Sequence, residues 1–177
     1  MQILNGGTFR DIKKISKSNG NVDEILKNKR YIVIDDNKIT RMLYGNRLNR
    51  ISRHVCILDG QDLEQNVDDY VYEIIKYKAD IVLLDNNLCR SPSDSDQIIQ
   101  YKDLKDKKEF DGMHIATGLR NAKFKGYIFM ISSDQELAKV FISFGADKSI
   151  GKKIDFVNMA KSIREVDDKR KSIKGNG

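Results

Sequence analysis

Four consecutive apolar residues, Ile81-Val82-Leu83-Leu84, run directly into a carboxylate, Asp85. An apolar run of that length without alternation reads as a strand buried on both faces, the habit of a parallel sheet sandwiched between helices. In open parallel sheets ligands bind in the crevice beyond the carboxyl ends of the strands, so Asp85 stands where chemistry is expected. Two further runs behave alike. Tyr31-Ile32-Val33-Ile34 ends in Asp35-Asp36, and Tyr127-Ile128-Phe129-Met130-Ile131 ends in Ser132-Ser133. A shorter candidate, Asp147 to Ile150, is followed by Gly151-Lys152-Lys153. As parallel strands these bring three acids, a hydroxyl and an ammonium to one sheet edge, in outline a site for a divalent metal and a phosphoryl group.

The segments between them carry helical spacing. Asn37 to Ile51 sets Ile39, Met42, Leu43, Leu48 and Ile51 near one face, and Asp62 to Lys78 does the same with Leu63, Val67, Val71, Ile74 and Ile75. His54 to Leu58 reads as a further strand, and Gly112 to Ala122, Gln135 to Phe144 and Phe156 to Val166 as helices. Five strands alternating with five helices predict an α/β doubly wound parallel sheet with helices on both faces. Residues 1–29 form an N-terminal extension in which Phe9, Ile12 and Ile15 fit a short amphipathic helix, and Val22 to Leu26 adds a turn. A polar stretch at about 89–110, with Ser91-Pro92-Ser93-Asp94-Ser95-Asp96, interrupts the pattern directly after the strand bearing Asp85. Insertions of that length in compact domains are usually functional or disordered. Residues 169–177 read as a flexible tail.

A chain of 177 residues, 40% hydrophobic, accommodates one domain with a substantial core. No apolar run approaches membrane-spanning length and the start lacks the pattern of a signal peptide, so a cytoplasmic protein without membrane contact is expected. Cys56 and Cys89 show no metal-ligand spacing and are expected as reduced thiols. The net charge of +6 sits in the ends: residues 1–30 hold seven Lys/Arg against three Asp/Glu, residues 161–177 six against three, and the body 19 against 20. Without a basic body or interleaved aromatics, nucleic acid is not an expected partner. His54 and His114 stand apart from one another and from any metal-ligand spacing.

Taken together, Asp35-Asp36, Asp85, Ser132 and Lys152, each following a strand in the right order, resemble the five signature positions of the receiver domain of two-component response regulators. Gly145-Ala146-Asp147 and Asp111-Gly112 also match that family's usual sequence, and the similarity covers about residues 30 to 168. The resemblance implies a flavodoxin-like receiver fold with strand order 2-1-3-4-5. It implies Asp85 as phosphoacceptor, Ser132 and Lys152 as its catalytic companions, and Mg²⁺ held by Asp35, Asp36, Asp85 and the backbone carbonyl of Asn87. Asn87 and Asp134 fall where the family tunes the access of water to the acyl phosphate, and this pairing looks like that of chemotaxis regulators with short-lived phosphorylation. The implied partners are a histidine kinase or histidine phosphotransfer protein and a downstream protein, with a homodimer left open. Two positions depart from the family. Ser149 replaces the usual aromatic switch residue, and Lys153 stands where a proline usually follows the lysine, which puts a cis peptide there in doubt.

The chemistry can be argued from the residues as well. Three neighbouring carboxylates repel one another by about 4 kcal/mol per pair at an effective dielectric near 20, so such a site calls for a divalent cation. An oxygen-only donor set with few protein ligands favours Mg²⁺. Asp85 then serves as a nucleophile that accepts a phosphoryl group, while the metal and the Lys152 ammonium neutralise charge on the transferred oxygens and Ser132 donates to one of them. The chain phosphorylates and dephosphorylates itself in this scheme and is not a turnover enzyme. Against it stand plainer uses of the same residues: Asp35-Asp36 or Ser132-Ser133 as helix caps, and Lys152 as a surface lysine. Two rival functions follow. One is a receiver-like interaction module that is not phosphorylated. The other is a magnesium-dependent hydrolase of the haloacid dehalogenase type, which needs a second acid where this chain has Asn87.

Overall fold

The computed structural model describes residues 22–60, 66–86, 88, 112–132 and 138–175. Its elements, in chain order, are α1 (Val22–Leu26), β1 (Tyr31–Asp35), α2 (Lys38–Leu48), β2 (Val55–Asp59), α3 (Val67–Tyr77), β3 (Ile81–Asp85), α4 (Gly112–Asn121), β4 (Tyr127–Ile131), α5 (Ala138–Ser143), β5 (Lys148–Ile150) and α6 (Phe156–Gly175). The five strands form one parallel sheet in the order β2-β1-β3-β4-β5. Neighbouring β1 and β3 therefore end side by side, Ile34 pairing with Leu84 and leaving Asp35 and Asp85 as the next residues. On the far side of β3, Asp85 pairs with Ile131, and Ile131 with Ile150. Ser132 and Gly151-Lys152 thus leave the sheet one step beyond Asp85.

The chain divides into two compact units, one made of residues up to Lys27 with Asp155–Gly177, the other of Asn28–Ile154. In the larger unit β1 and β3 are buried along their whole length, as their unbroken apolar runs require. Ile32, Ile34, Val82, Leu84, Ile128 and Met130 on one face pack with Tyr70 and Ile74 of α3, Ile115 and Leu119 of α4 and Phe141 of α5. At the entry to β5, Gly145 adopts φ +98°, a left-handed conformation that a side chain would strain. Its carbonyl and the Asp147 carboxylate are both held by Arg120 of α4, at 2.8 and 2.7 Å. In the smaller unit α1 and α6 pack on one another, with Val22 and Leu26 buried.

Two expectations about helices need correction. On α2 the apolar residues Ile39, Met42 and Leu43 are 67%, 60% and 53% exposed, whereas Leu48 is buried as expected, together with Tyr44 and Gly45. The reason is that much of the inward side of this helix serves the polar rim of the sheet, described below, so helical spacing of apolar residues alone misplaces three of its residues. The closing helix was expected to end at Val166 and the residues from 169 to be flexible, yet α6 continues to Gly175. The segment Asp167-Asp168-Lys169-Arg170-Lys171 consists mostly of helix-compatible charged residues, with an ion pair at helical spacing, Lys171 to Asp168 at 3.6 Å. The extension before Val22 and the 89–110 stretch lie outside the described residues. Among the described residues no helix is long and apolar enough to cross a membrane, and Cys56, half-buried on β2, is a free thiol.

Candidate functional site

The carboxyl rim of the sheet gathers the acids. Carboxylate oxygens of Asp35, Asp36 and Asp85 all lie within 4.8 Å of one another. Asp35 and Asp85 are buried and Asp36 is half-buried. Such an arrangement is unfavourable without compensation, since burial and mutual repulsion both oppose the charged forms. Burial, and next the neighbouring Asp35 carboxylate, push Asp85 up to about 7, against the opposing pull of Lys152. Asp35 and Asp36 are likewise raised, chiefly by burial.

Each acid is fixed by its surroundings. Asp35 Oδ1 accepts the Asn37 backbone N–H at 2.8 Å, whereas its Oδ2 is buried with no hydrogen-bond partner among the described residues. Asp85 Oδ1 accepts the Asn86 N–H at 2.9 Å, and its Oδ2 faces the Lys152 ammonium at 3.5 Å. The helix-cap reading of the acidic pair fails here. Asn37 caps α2, its side chain accepting from Ile39 N at 2.9 Å and Thr40 N at 3.1 Å, which leaves Asp35 and Asp36 to face the rim. Ser132 follows β4, half-buried, its N–H donating to Ile150 O at 3.1 Å, so the end of β5 is still bonded to the chain one residue past the level of Asp85.

Several residues that sequence reasoning left aside build the frame. Arg41 Nη1 donates to Asp35 O at 2.7 Å, and its guanidinium grips both oxygens of Asp59 at 2.7 and 2.6 Å, tying the ends of β1 and β2 together. Tyr44 donates its hydroxyl to Lys152 O at 2.6 Å. Two glycines admit close backbone approach: a Cβ on Gly60 would press on Leu88 and the Asp35-Asp36 backbone, and one on Gly112 would collide with the backbone oxygen of Asp85. The Asp111-Gly112 match gave a hint of the second. Nothing in the sequence marks Tyr44, and Arg41 is marked only by following the acidic pair within two helix turns. Asn87 and Asp134 lie outside the described residues.

An all-oxygen donor set, packed tightly around one orphaned buried carboxylate oxygen, fits a hard divalent cation. Without such a cation, burial and mutual repulsion shift all three acids toward their protonated forms. A doubly wound parallel sheet in this strand order is the flavodoxin-like fold that receiver domains adopt.

Solved structures agree on the fold. The BeF3-activated N-terminal receiver domain of RstA from Klebsiella pneumoniae superposes with a TM-score of 0.52 at 18% identity, covering 76% of this chain and 95% of that one. A chain of the CheX-CheY-BeF3-Mg²⁺ complex from Borrelia burgdorferi gives 0.53 at 16%, covering 79% and 90%. The signal receiver domain of a modulated diguanylate cyclase from Desulfovibrio desulfuricans G20 gives 0.52 at 17%, covering 82% and 98%. Compared as a sequence, the chain matches no family model and no curated protein.

Proposed function

We propose that this chain is a phosphoryl-accepting receiver, in which Asp85 takes a phosphoryl group from a phosphohistidine on a histidine kinase or phosphotransfer protein. The observation that carries the reading is the meeting of Asp35, Asp36 and Asp85 within 4.8 Å, with the Lys152 ammonium directly on Asp85. In the step, Asp85 Oδ attacks phosphorus, a P–O bond forms as the P–N bond breaks, and the departing imidazole keeps the electron pair and takes a proton. Asp35, Asp36, Asp85 and the Asn87 carbonyl would hold Mg²⁺, which would supply charge neutralisation on the phosphoryl oxygens. Lys152 contributes a cation at Asp85 Oδ2, and Ser132 donates a hydrogen bond to a phosphoryl oxygen. Lys152 draws the Asp85 carboxyl toward its charged form, and a bound divalent cation would add to that pull against burial. Water later attacks phosphorus and releases phosphate, at a rate set by Asn87 and Asp134. Output passes to a downstream protein by contact, in the cytoplasm.

The test is phosphoryl uptake from acetyl phosphate with Mg²⁺, followed by intact mass. Wild type is expected to gain one phosphoryl group and Asp85→Asn none. Uptake that persists in the variant relocates the nucleophile. No uptake by wild type leaves an unphosphorylated interaction module, and repeated turnover of a small phosphate ester points to a hydrolase.

A further inference from the structure

Lys152 must be carried to Asp85 by a loop whose own sequence does little to fix it. Gly151 has open space where a Cβ would stand, and Lys152 and Lys153 are exposed. The ammonium reaches Asp85 Oδ2 at 3.5 Å on a flexible four-carbon stem. A single contact of that kind does not hold a loop.

The loop is instead held from α2. The Tyr44 hydroxyl donates to Lys152 O at 2.6 Å, and Arg47 Nη1 donates to Ile154 O at 2.6 Å. Three residues apart, the two donors leave one side of the helix. Tyr44 is buried, so its bond to the loop is shielded from competing water. The same helix is anchored to the acidic rim, since its cap Asn37 donates to Asp35 and Arg41 donates to the Asp35 carbonyl. One rigid element therefore spans the distance between the acidic pair and the lysine loop.

We propose that Tyr44 is the positioning residue for Lys152: with Arg47 it latches residues 152–154 onto α2 and so keeps the ammonium at Asp85, where an incoming phosphoryl group needs it. The inference rests on the phosphoacceptor reading. Tyr44 itself touches neither metal nor phosphoryl group and acts through Lys152 alone. Burial, and then the Asp35 and Asp85 carboxylates, push the ionisation of its hydroxyl upward, so it remains a neutral donor. A purely structural tyrosine would support both ligands of the site equally. A latch on a cation would matter to the anion and not to the metal.

The full chain is titrated calorimetrically with Mg²⁺ alone, then with beryllofluoride, a phosphoryl mimic that adds to the acceptor carboxylate, at saturating Mg²⁺. Tyr44→Phe is expected to weaken beryllofluoride about tenfold, the scale of one lost buried hydrogen bond, with no loss of Mg²⁺ affinity. Arg47→Gln is expected to shift the same way, and carries the test if Tyr44→Phe fails to fold. Lys152→Ala weakens beryllofluoride on its own, and adding Tyr44→Phe to it costs nothing further, because the two act as one unit. Equal losses for both ligands, an unaffected Arg47→Gln, or additive losses in the double variant overturn the latch while leaving the phosphoacceptor reading intact. A wild type that binds no beryllofluoride overturns that reading, and the latch with it.

Discussion

Replacing Asp85 by asparagine is expected to make the metal-free protein more stable, by a margin that opens as pH rises above about 4 and is complete near about 7. The Asp85 carboxyl is buried beside Asp35 and Asp36, and its pKa is raised from an ordinary 3.8 to about 7. A group whose folded pKa exceeds its unfolded one keeps its proton longer in the folded state, so its stabilising contribution is complete below about 4 and is lost as pH rises to about 7. The displacement corresponds to at most about 4 kcal/mol against the charged form, and relaxation of the site and entry of water reduce it, so about 2–4 kcal/mol is expected. Asparagine removes the titration while keeping the shape. In EDTA at pH 8 the variant should therefore melt higher by roughly 5–15 °C for a domain of this size, and at about pH 3.5, below the unfolded pKa, the two should nearly coincide. Subtracting one melting curve from the other cancels carboxylates that the substitution leaves alone, so the pH dependence of the difference belongs to this cluster. Adding Mg²⁺ should then raise the wild type selectively, by about 1.4 kcal/mol at ten times its dissociation constant. A difference that is flat across pH, or an asparagine variant that is the less stable at pH 8, would refute the reasoning.

Two further outcomes follow from the frame around the acids. Arg41→Ala removes the bond to the Asp35 carbonyl and both bonds to Asp59 from a mostly buried guanidinium, and should cost about 1–3 kcal/mol in urea denaturation, with weaker Mg²⁺ binding. Gly112→Ala drives a methyl into the backbone oxygen of Asp85. It should destabilise by about 1–3 kcal/mol, the range for overpacking, and reduce phosphoryl uptake more than Gly60→Ala reduces it, whose nearest obstacle is the movable Leu88 side chain.

The strands and the acids were legible because one physical fact governs both. A strand buried on two faces must be apolar throughout, so Ile81 to Leu84 and Tyr31 to Ile34 declare themselves, and the first charged residue after each run has to lie at the sheet's rim. The helices were less legible because a helix facing a polar rim inverts the usual rule. On α2 the residues that matter are Arg41, Tyr44 and Arg47, which spend their polar groups on backbone carbonyls and on Asp59, while Ile39, Met42 and Leu43 face outward. Their partners are as far as 108 positions along the chain, and no local pattern encodes a contact at that separation. The extent of α6 escaped for another reason: charged residues suit a solvated helix as well as a frayed end, and composition does not choose between them.

The site is costly to the fold, and that cost explains its construction. Three carboxylates raised in pKa by burial destabilise the metal-free chain, and an unpartnered buried oxygen on Asp35 adds to the penalty. Hydrophobic burial along β1, β3 and β4 makes the cost tolerable, because strands so deeply packed cannot splay to relieve it. Donors from α2 and the tight approach at Gly60 and Gly112 close the remaining exits on the same principle. What remains unsatisfied is a demand for positive charge at one point, met in part by Lys152 and in the rest by a ligand. A rim held in this state is poised to respond to whatever supplies that charge.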